Sequence, residues 1–155
     1  MATTTTDRIE RQIQLRQPRS RVWRALTDFK EFNAWFGVEL EGPFKAGGRV
    51  KGRITHKGYE HMTMDIVVER IEPEHAFAWR WHPGAKAPGE SFESEPMTLV
   101  VFTLEDAPGG TLLKVVETGF DAIPIARRAK ALKENEGGWT GQMKAIEAYL
   151  ARAAG

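Results

Sequence analysis

The chain has 155 residues, 41% hydrophobic and 28% charged, with a formal net charge of +1. That length suits one domain burying about two-thirds of its unfolded surface around a single core, and the near-neutral charge gives no reason to expect nucleic acid or an anionic membrane as the main partner. Cysteine is absent, which excludes disulfides, thiol nucleophiles and thiolate metal sites, and no apolar run approaches the ~20 residues of a membrane span.

Met1 to Asp7 reads as a disordered, threonine-rich tail without the basic start and apolar core of a signal peptide. The expected compartment is the cytoplasm, and residues 8–152 are expected to form one domain. From Arg8 to Gln17 the sequence alternates, with Ile9, Arg11, Ile13 and Leu15 on one face, the pattern of a half-buried strand. Pro18 ends it. Val22, Trp23, Leu26, Phe29, Phe32, Trp35 and Phe36 then recur at helical spacing. Asp28 is placed to cap a second short helix, so two short helices are predicted with a break near Thr27 and Asp28.

From Val38 the pattern changes to strands. "VELEGPF" and "RVKGRITH" flank "KAGG", a hairpin signal. Next, "HMTMDIVVERIEP" places Met62, Met64, Ile66 and Val68 on one face, and "AFAWRWHP" does the same for Phe77, Trp79 and Trp81. Pro83 to Pro96 is rich in Gly, Pro, Ser and Glu and reads as a mobile loop. "MTLVVFTLED" and "GTLLKVVETGF" form a last hairpin around "APGG", and a long helix is predicted from about Pro124 to Ala151. Strands in a run, flanked by helices without βαβ alternation, indicate an α+β fold with an antiparallel sheet.

The start "RQIQLRQPRSRVWRALTDFKEFNAWFG", the strand "FAWRWHP", the pair "VVETGF" and the end "GGWTGQMKAIEAYL" together resemble the SRPBCC superfamily. Within it the chain is most similar to bacterial proteins like the C-terminal domain of the activator of the heat-shock-protein-ninety ATPase. The resemblance implies a helix-grip fold. In such a fold a curved antiparallel sheet of six or seven strands grips a long C-terminal helix, often around an apolar cavity.

The closing helix carries three glycines near its tryptophan, each costing roughly 1 kcal/mol against Ala in a helix interior. Trp139, Met143, Ile146 and Leu150 fall at successive steps of four, three and four, one face directed at the sheet. Gly137, Gly138 and Gly141 can then let the helix backbone approach a strand or leave room for the indole. The alternative is a kink, or a helix beginning at Gly138.

No recognisable catalytic set, phosphate loop or dinucleotide fingerprint is present, and His56, His61, His75 and His82 lack metal-ligand spacing. Neither metal nor cofactor is expected. Arg11 and Glu117 share predicted inward faces with apolar residues, so each needs a partner if buried. They are expected to pair with each other or to orient a polar group of a ligand; at strand ends both would reach solvent. The cationic run Arg127, Arg128, Lys130 and Lys133 reads as a solvated face balanced by Glu134 and Glu136.

The leading functional expectation is a small cytoplasmic binding protein holding a hydrophobic or aromatic molecule between sheet and helix. Arg11, Trp35, Phe36, Met62, Met64, Phe77, Trp79, Trp81, Phe102, Glu117, Trp139 and Met143 would line that site. The resemblance offers two alternatives. One is an enzyme of the cyclase or hydrolase type acting on an enclosed hydrophobic substrate, marked by a strongly shifted ionisable group in the cavity. The other is a co-chaperone-like module stimulating an ATPase, with a chaperone as partner. Both monomer and homodimer are open.

Overall fold

The computed structural model describes residues 8–84 and 95–153. Its element order is β1 (Arg8–Leu15), α1 (Arg19–Thr27), α2 (Phe29–Phe36), β2 (Val38–Leu40), β3 (Arg49–Ile54), β4 (Thr63–Glu72), β5 (Ala76–Trp81), β6 (Thr98–Ala107), β7 (Gly110–Thr118), a single 3-10 turn at Phe120–Ala122, and α3 (Ile125–Ala153). Among the described residues seven strands form one antiparallel sheet in the order β1-β7-β6-β5-β4-β3-β2. The predicted helix-grip architecture is present, with the curved sheet facing α3. The tail of residues 1–7, and residues 85–94 of the predicted loop, lie outside the described residues.

Local chemistry accounts for the elements. Asp28 breaks α1 from α2 and accepts hydrogen bonds from the backbone N–H groups of Lys30 and Glu31, satisfying donors that a helix start leaves open. The Trp35 indole N–H donates to the Ala25 carbonyl at 2.8 Å, locking the two short helices together. Gly37 ends α2 in the left-handed region with φ 86°, a conformation that costs any residue bearing a Cβ. A Cβ there would also sit 2.6 Å from the His56 ring. Gly52 is needed for a different reason: its added Cβ would lie 2.1 Å from the Glu39 carbonyl oxygen of the paired strand β2.

Pairing of β4 with β5 slips between Val68 and Arg70. The extra residue bends the strand and flips its alternation, so Met64, Ile66 and Val68 face inward but Ile71 takes over beyond the bulge. Such a bend helps the sheet cup. Into that cup α3 lays Trp139, Met143, Ile146 and Leu150, each no more than 4% exposed. Core side chains from β1, β3 to β7, α1 and α2 meet them there. Among the described residues no helix is long and apolar enough to cross a membrane.

Candidate functional site

Strand β7 alternates strictly, burying Thr111, Leu113, Val115 and Glu117. Glu117 lies opposite Ile9 of β1 and Val100 of β6, on the concave face, and is 0% exposed. Four donors converge on it. Its Oε1 accepts from the Trp139 indole N–H and the Asn135 side-chain amide, each at 2.8 Å. Its Oε2 accepts from the Trp81 indole N–H at 2.8 Å and the Thr98 hydroxyl at 2.5 Å. Four donors match the roughly four lone-pair sites of an ionised carboxylate. Every donor is neutral, however, and among the described residues no cation forms an ion pair with Glu117. A charge taken from water costs several kcal/mol unless it is fully satisfied. Here the cost is met by hydrogen bonds from three elements, β5, β6 and α3, so the carboxylate ties the helix to the sheet.

Around this group the aromatic residues interlock. The Trp139 ring centroid lies 5.6 Å from Trp81, 5.6 Å from Phe102, 6.2 Å from Phe36 and 6.4 Å from Trp79. Mostly tilted or edge-on pairs at such distances are favourable packing. The side chains expected to line a hollow therefore pack on one another. Trp81 is only partly buried and Asn135 likewise, so the polar end of the seam lies just beneath the surface. There Asn135 also accepts from the Gly84 backbone N–H at 3.0 Å.

Trp79 stands at the centre, 0% exposed, and among the described residues its indole N–H has no acceptor. Leaving a buried donor unpaired costs about 1–3 kcal/mol. The indoles of Trp35, Trp81 and Trp139 all have acceptors.

Of the twelve residues expected at the site, Trp35, Phe36, Met64, Phe77, Trp79, Phe102, Glu117, Trp139 and Met143 are buried in the core, and Trp81 packs against it. Met62 is half-buried in the turn before β4 and is outside the core cluster. Arg11 also departs from expectation. It faces α3 from the edge strand β1, donates to the Thr140 hydroxyl at 3.0 Å and approaches Glu136 at 3.8 Å, its side chain 34% exposed. The expected Arg11–Glu117 pair is not made, because β1 is the sheet edge and its long guanidinium reaches past the core to the helix flank.

The glycines of α3 depart from the expected close packing. The helix runs unbroken from Ile125 to Ala153, so it does not begin at Gly138. Gly137, Gly138 and Gly141 are exposed, and a Cβ added at any of them would meet nothing within 4 Å. They neither approach a strand nor make room for the indole.

The cationic run is likewise not simply solvated. Arg127 pairs with Glu95 at 2.8 Å and donates to the Pro83 carbonyl, both side chains largely buried, while Arg128 donates to the Asp121 and Ile123 carbonyls.

Sequence reasoning missed Thr98 and Asn135. Thr98 was detectable by parity, since it shares a face with Val100 and Phe102. Asn135 precedes Trp139 by four residues, one helical turn, and so shares its face. Among the described residues no group of three or more His, Asp or Glu is arranged to hold a metal. A surface groove at Gln14, Leu15, Arg16, Pro108 and Gly109 lies at the far end of β1 and β7, six residues and about 20 Å along the strands from Glu117.

A cupped antiparallel sheet clasping a C-terminal helix over a polar-centred aromatic seam defines a helix-grip protein. Residues 16–151 match the family described as activator of Hsp90 ATPase homolog 1-like protein, and the chain belongs to that family. None of the curated proteins compared is similar to it. Among solved structures, a protein from Nitrosomonas europaea superposes with a TM-score of 0.76 at 16% identity, covering 98% of this chain and 99% of that one. A protein from Mesorhizobium loti gives 0.74 at 22% identity, covering 94% and 97%. The solution structure of the Aha1 dimer from Colwellia psychrerythraea gives 0.63 at 18% identity, covering 90% and 96%. At these identities the likeness is one of fold.

Proposed function

We propose that the chain is a small binding protein whose ligand, an apolar or aromatic molecule, inserts between the sheet and α3 at the Trp81–Trp139–Glu117 seam. The observation that carries this reading is the buried Glu117 carboxylate, held by neutral donors inside an aromatic core. Stability alone does not require such a group, since well-packed apolar residues of similar volume are often at least as stable there. Ligand sites, by contrast, are mostly apolar walls with a few placed polar groups. The rings meet across two separate elements, β5 and α3, so a small separation of helix and sheet opens the seam at its half-buried end near Trp81 and Asn135. Family membership supports the reading only at the level of a ligand-binding or activator-like domain.

The test is a titration of intrinsic tryptophan fluorescence with phenylnaphthylamine, an uncharged aromatic probe. A saturable change with one-to-one stoichiometry, weakened in Trp139→Phe, is the expected result. A linear, non-saturating response in the wild type overturns the reading.

A further inference from the structure

The orphaned donor at the centre of the aromatic cluster specifies what the bound molecule must carry. Three core indoles, those of Trp35, Trp81 and Trp139, donate to a carbonyl or a carboxylate. The fourth, Trp79, is fully buried, and its N–H is unpaired among the described residues. Native interiors pair nearly all buried donors, and an exception calls for an explanation, a functional role among them. Trp79 is also the ring that touches both sides of the seam, with centroids 5.5 Å from Trp81 and 6.4 Å from Trp139.

Glu117 limits the same space from the other direction. Its four acceptor positions are filled by the protein's own donors, so it has little capacity left for a ligand's N–H or O–H. Its charge has no cation beside it among the described residues. The partner expected from the sequence, Arg11, is committed to Thr140 and Glu136. In a low-dielectric interior an uncompensated carboxylate repels a second anion strongly.

We infer that Trp79 donates its indole N–H to an acceptor atom of the bound molecule, and that Glu117 bars anionic heads from the seam. The ligand class is then a flat, uncharged, apolar molecule bearing a carbonyl or ether oxygen, and free fatty acids or aryl carboxylates are excluded. This rests on the binding reading above.

Three probes of one shape separate the possibilities: acetylnaphthalene, which is uncharged with an acceptor; ethylnaphthalene, which has no acceptor; and naphthoate, which is anionic. Acetylnaphthalene is expected to bind the wild type about tenfold more tightly than ethylnaphthalene, the worth of one hydrogen bond to a desolvated donor. In Trp79→Phe that difference disappears. Naphthoate binds the wild type more weakly than acetylnaphthalene and recovers in Glu117→Gln. Should Trp79→Phe fail to fold, the wild-type indole proton resonance decides. It is identified by through-space contacts to the rings of Phe32 and Phe102, which flank Trp79, and moves downfield with acetylnaphthalene but not with ethylnaphthalene.

Equal binding of the acetyl and ethyl probes, or a difference that survives in Trp79→Phe, overturns the role of Trp79 and leaves the binding reading standing. Naphthoate binding as tightly as acetylnaphthalene overturns the charge exclusion. If none of the three probes saturates, the binding reading fails and this inference falls with it.

Discussion

Two carboxylates, Glu117 and Glu31, sit at junctions between α3 and the rest of the fold, and they are satisfied by opposite means. Glu31 on α2 pairs with Arg21 at 2.9 Å and Arg24 at 2.8 Å, and accepts from the Tyr149 hydroxyl of α3 at 2.7 Å. Arg21 in turn stacks over the Tyr149 ring at 5.9 Å. Its charge is balanced locally by two guanidinium groups, and the cluster clamps α1, α2 and α3 together. Among the described residues Glu117 joins β5, β6 and α3 through neutral donors alone. A balanced charge at a half-buried helix junction is explained by architecture. The unbalanced one sits deeper, among aromatic rings, where architecture alone does not call for it. That contrast separates a structural clamp from a candidate site within one small protein.

The largest expected effect lies at Glu117. Replacing it with Ala strands two indole N–H groups, an amide and a hydroxyl in the core, a loss of about 3–5 kcal/mol in urea denaturation. Glu117→Gln keeps the shape and one acceptor oxygen, and about 1–3 kcal/mol is expected. If Glu117→Ala costs no more than an exposed substitution, the contrast between the two carboxylates breaks.

Next in size is Glu31→Gln, with a loss of about 2 kcal/mol at neutral pH, since hydrogen bonds to charged groups are involved. The pH dependence sharpens this. Burial alone would raise the Glu31 carboxyl, but hydrogen bonds from Tyr149 and Arg21, with the Arg21 charge, hold it below the ordinary 4.5. A depressed folded pKa gives stability that is present above about 4.5 and is lost as pH falls through the lower folded value. The difference between wild type and Glu31→Gln therefore shrinks on acidification through that window, and a pH-independent difference sinks the assignment. Tyr149 mirrors it. Burial, then the Glu31 hydrogen bond, lift its hydroxyl above 10.0. That contribution is complete below pH 10 and disappears as pH rises through the higher folded value, so Tyr149→Phe loses its alkaline deficit.

Smaller effects of the opposite sign are expected on the outer face of α3. Gly137→Ala, Gly138→Ala and Gly141→Ala each add a methyl into open space, and each should stabilise by about 0.5–1 kcal/mol. Thermal melts of the three single variants and the triple variant check this. Smallest is Asp65→Asn, which breaks a pair with the exposed Arg49 and should cost less than about 1 kcal/mol, fading further in salt.

Most of the fold was legible because the signals are local. Alternation marked β1 and β7, the Asp28 cap divided α1 from α2, and the Trp139–Met143–Ile146–Leu150 stripe announced which face of α3 meets the sheet. The site was legible only in part. Parity placed Glu117 and the aromatic residues inside, yet it named the wrong partner for Glu117. Sequence alternation reports which face a side chain takes, but not how far along that face a neighbouring element lies. Arg11 and Glu117 share the concave face on adjacent strands, but Arg11 belongs to the edge. The glycines misled for a similar reason: their proximity to Trp139 in the chain says nothing of the side of the helix on which they fall once its register against the sheet is set.

By itself, then, the order of residues determined the elements, their inward faces and the family, since backbone propensity and periodic burial act over a few neighbouring positions. Only the assembled tertiary structure decided that two indoles, an amide and a hydroxyl close around one carboxylate while a third indole is left unpaired among the described residues. Those contacts join residues up to 36 positions apart, Trp81 to Glu117, and depend on the curvature of the sheet and the rotation of α3, which no local pattern encodes.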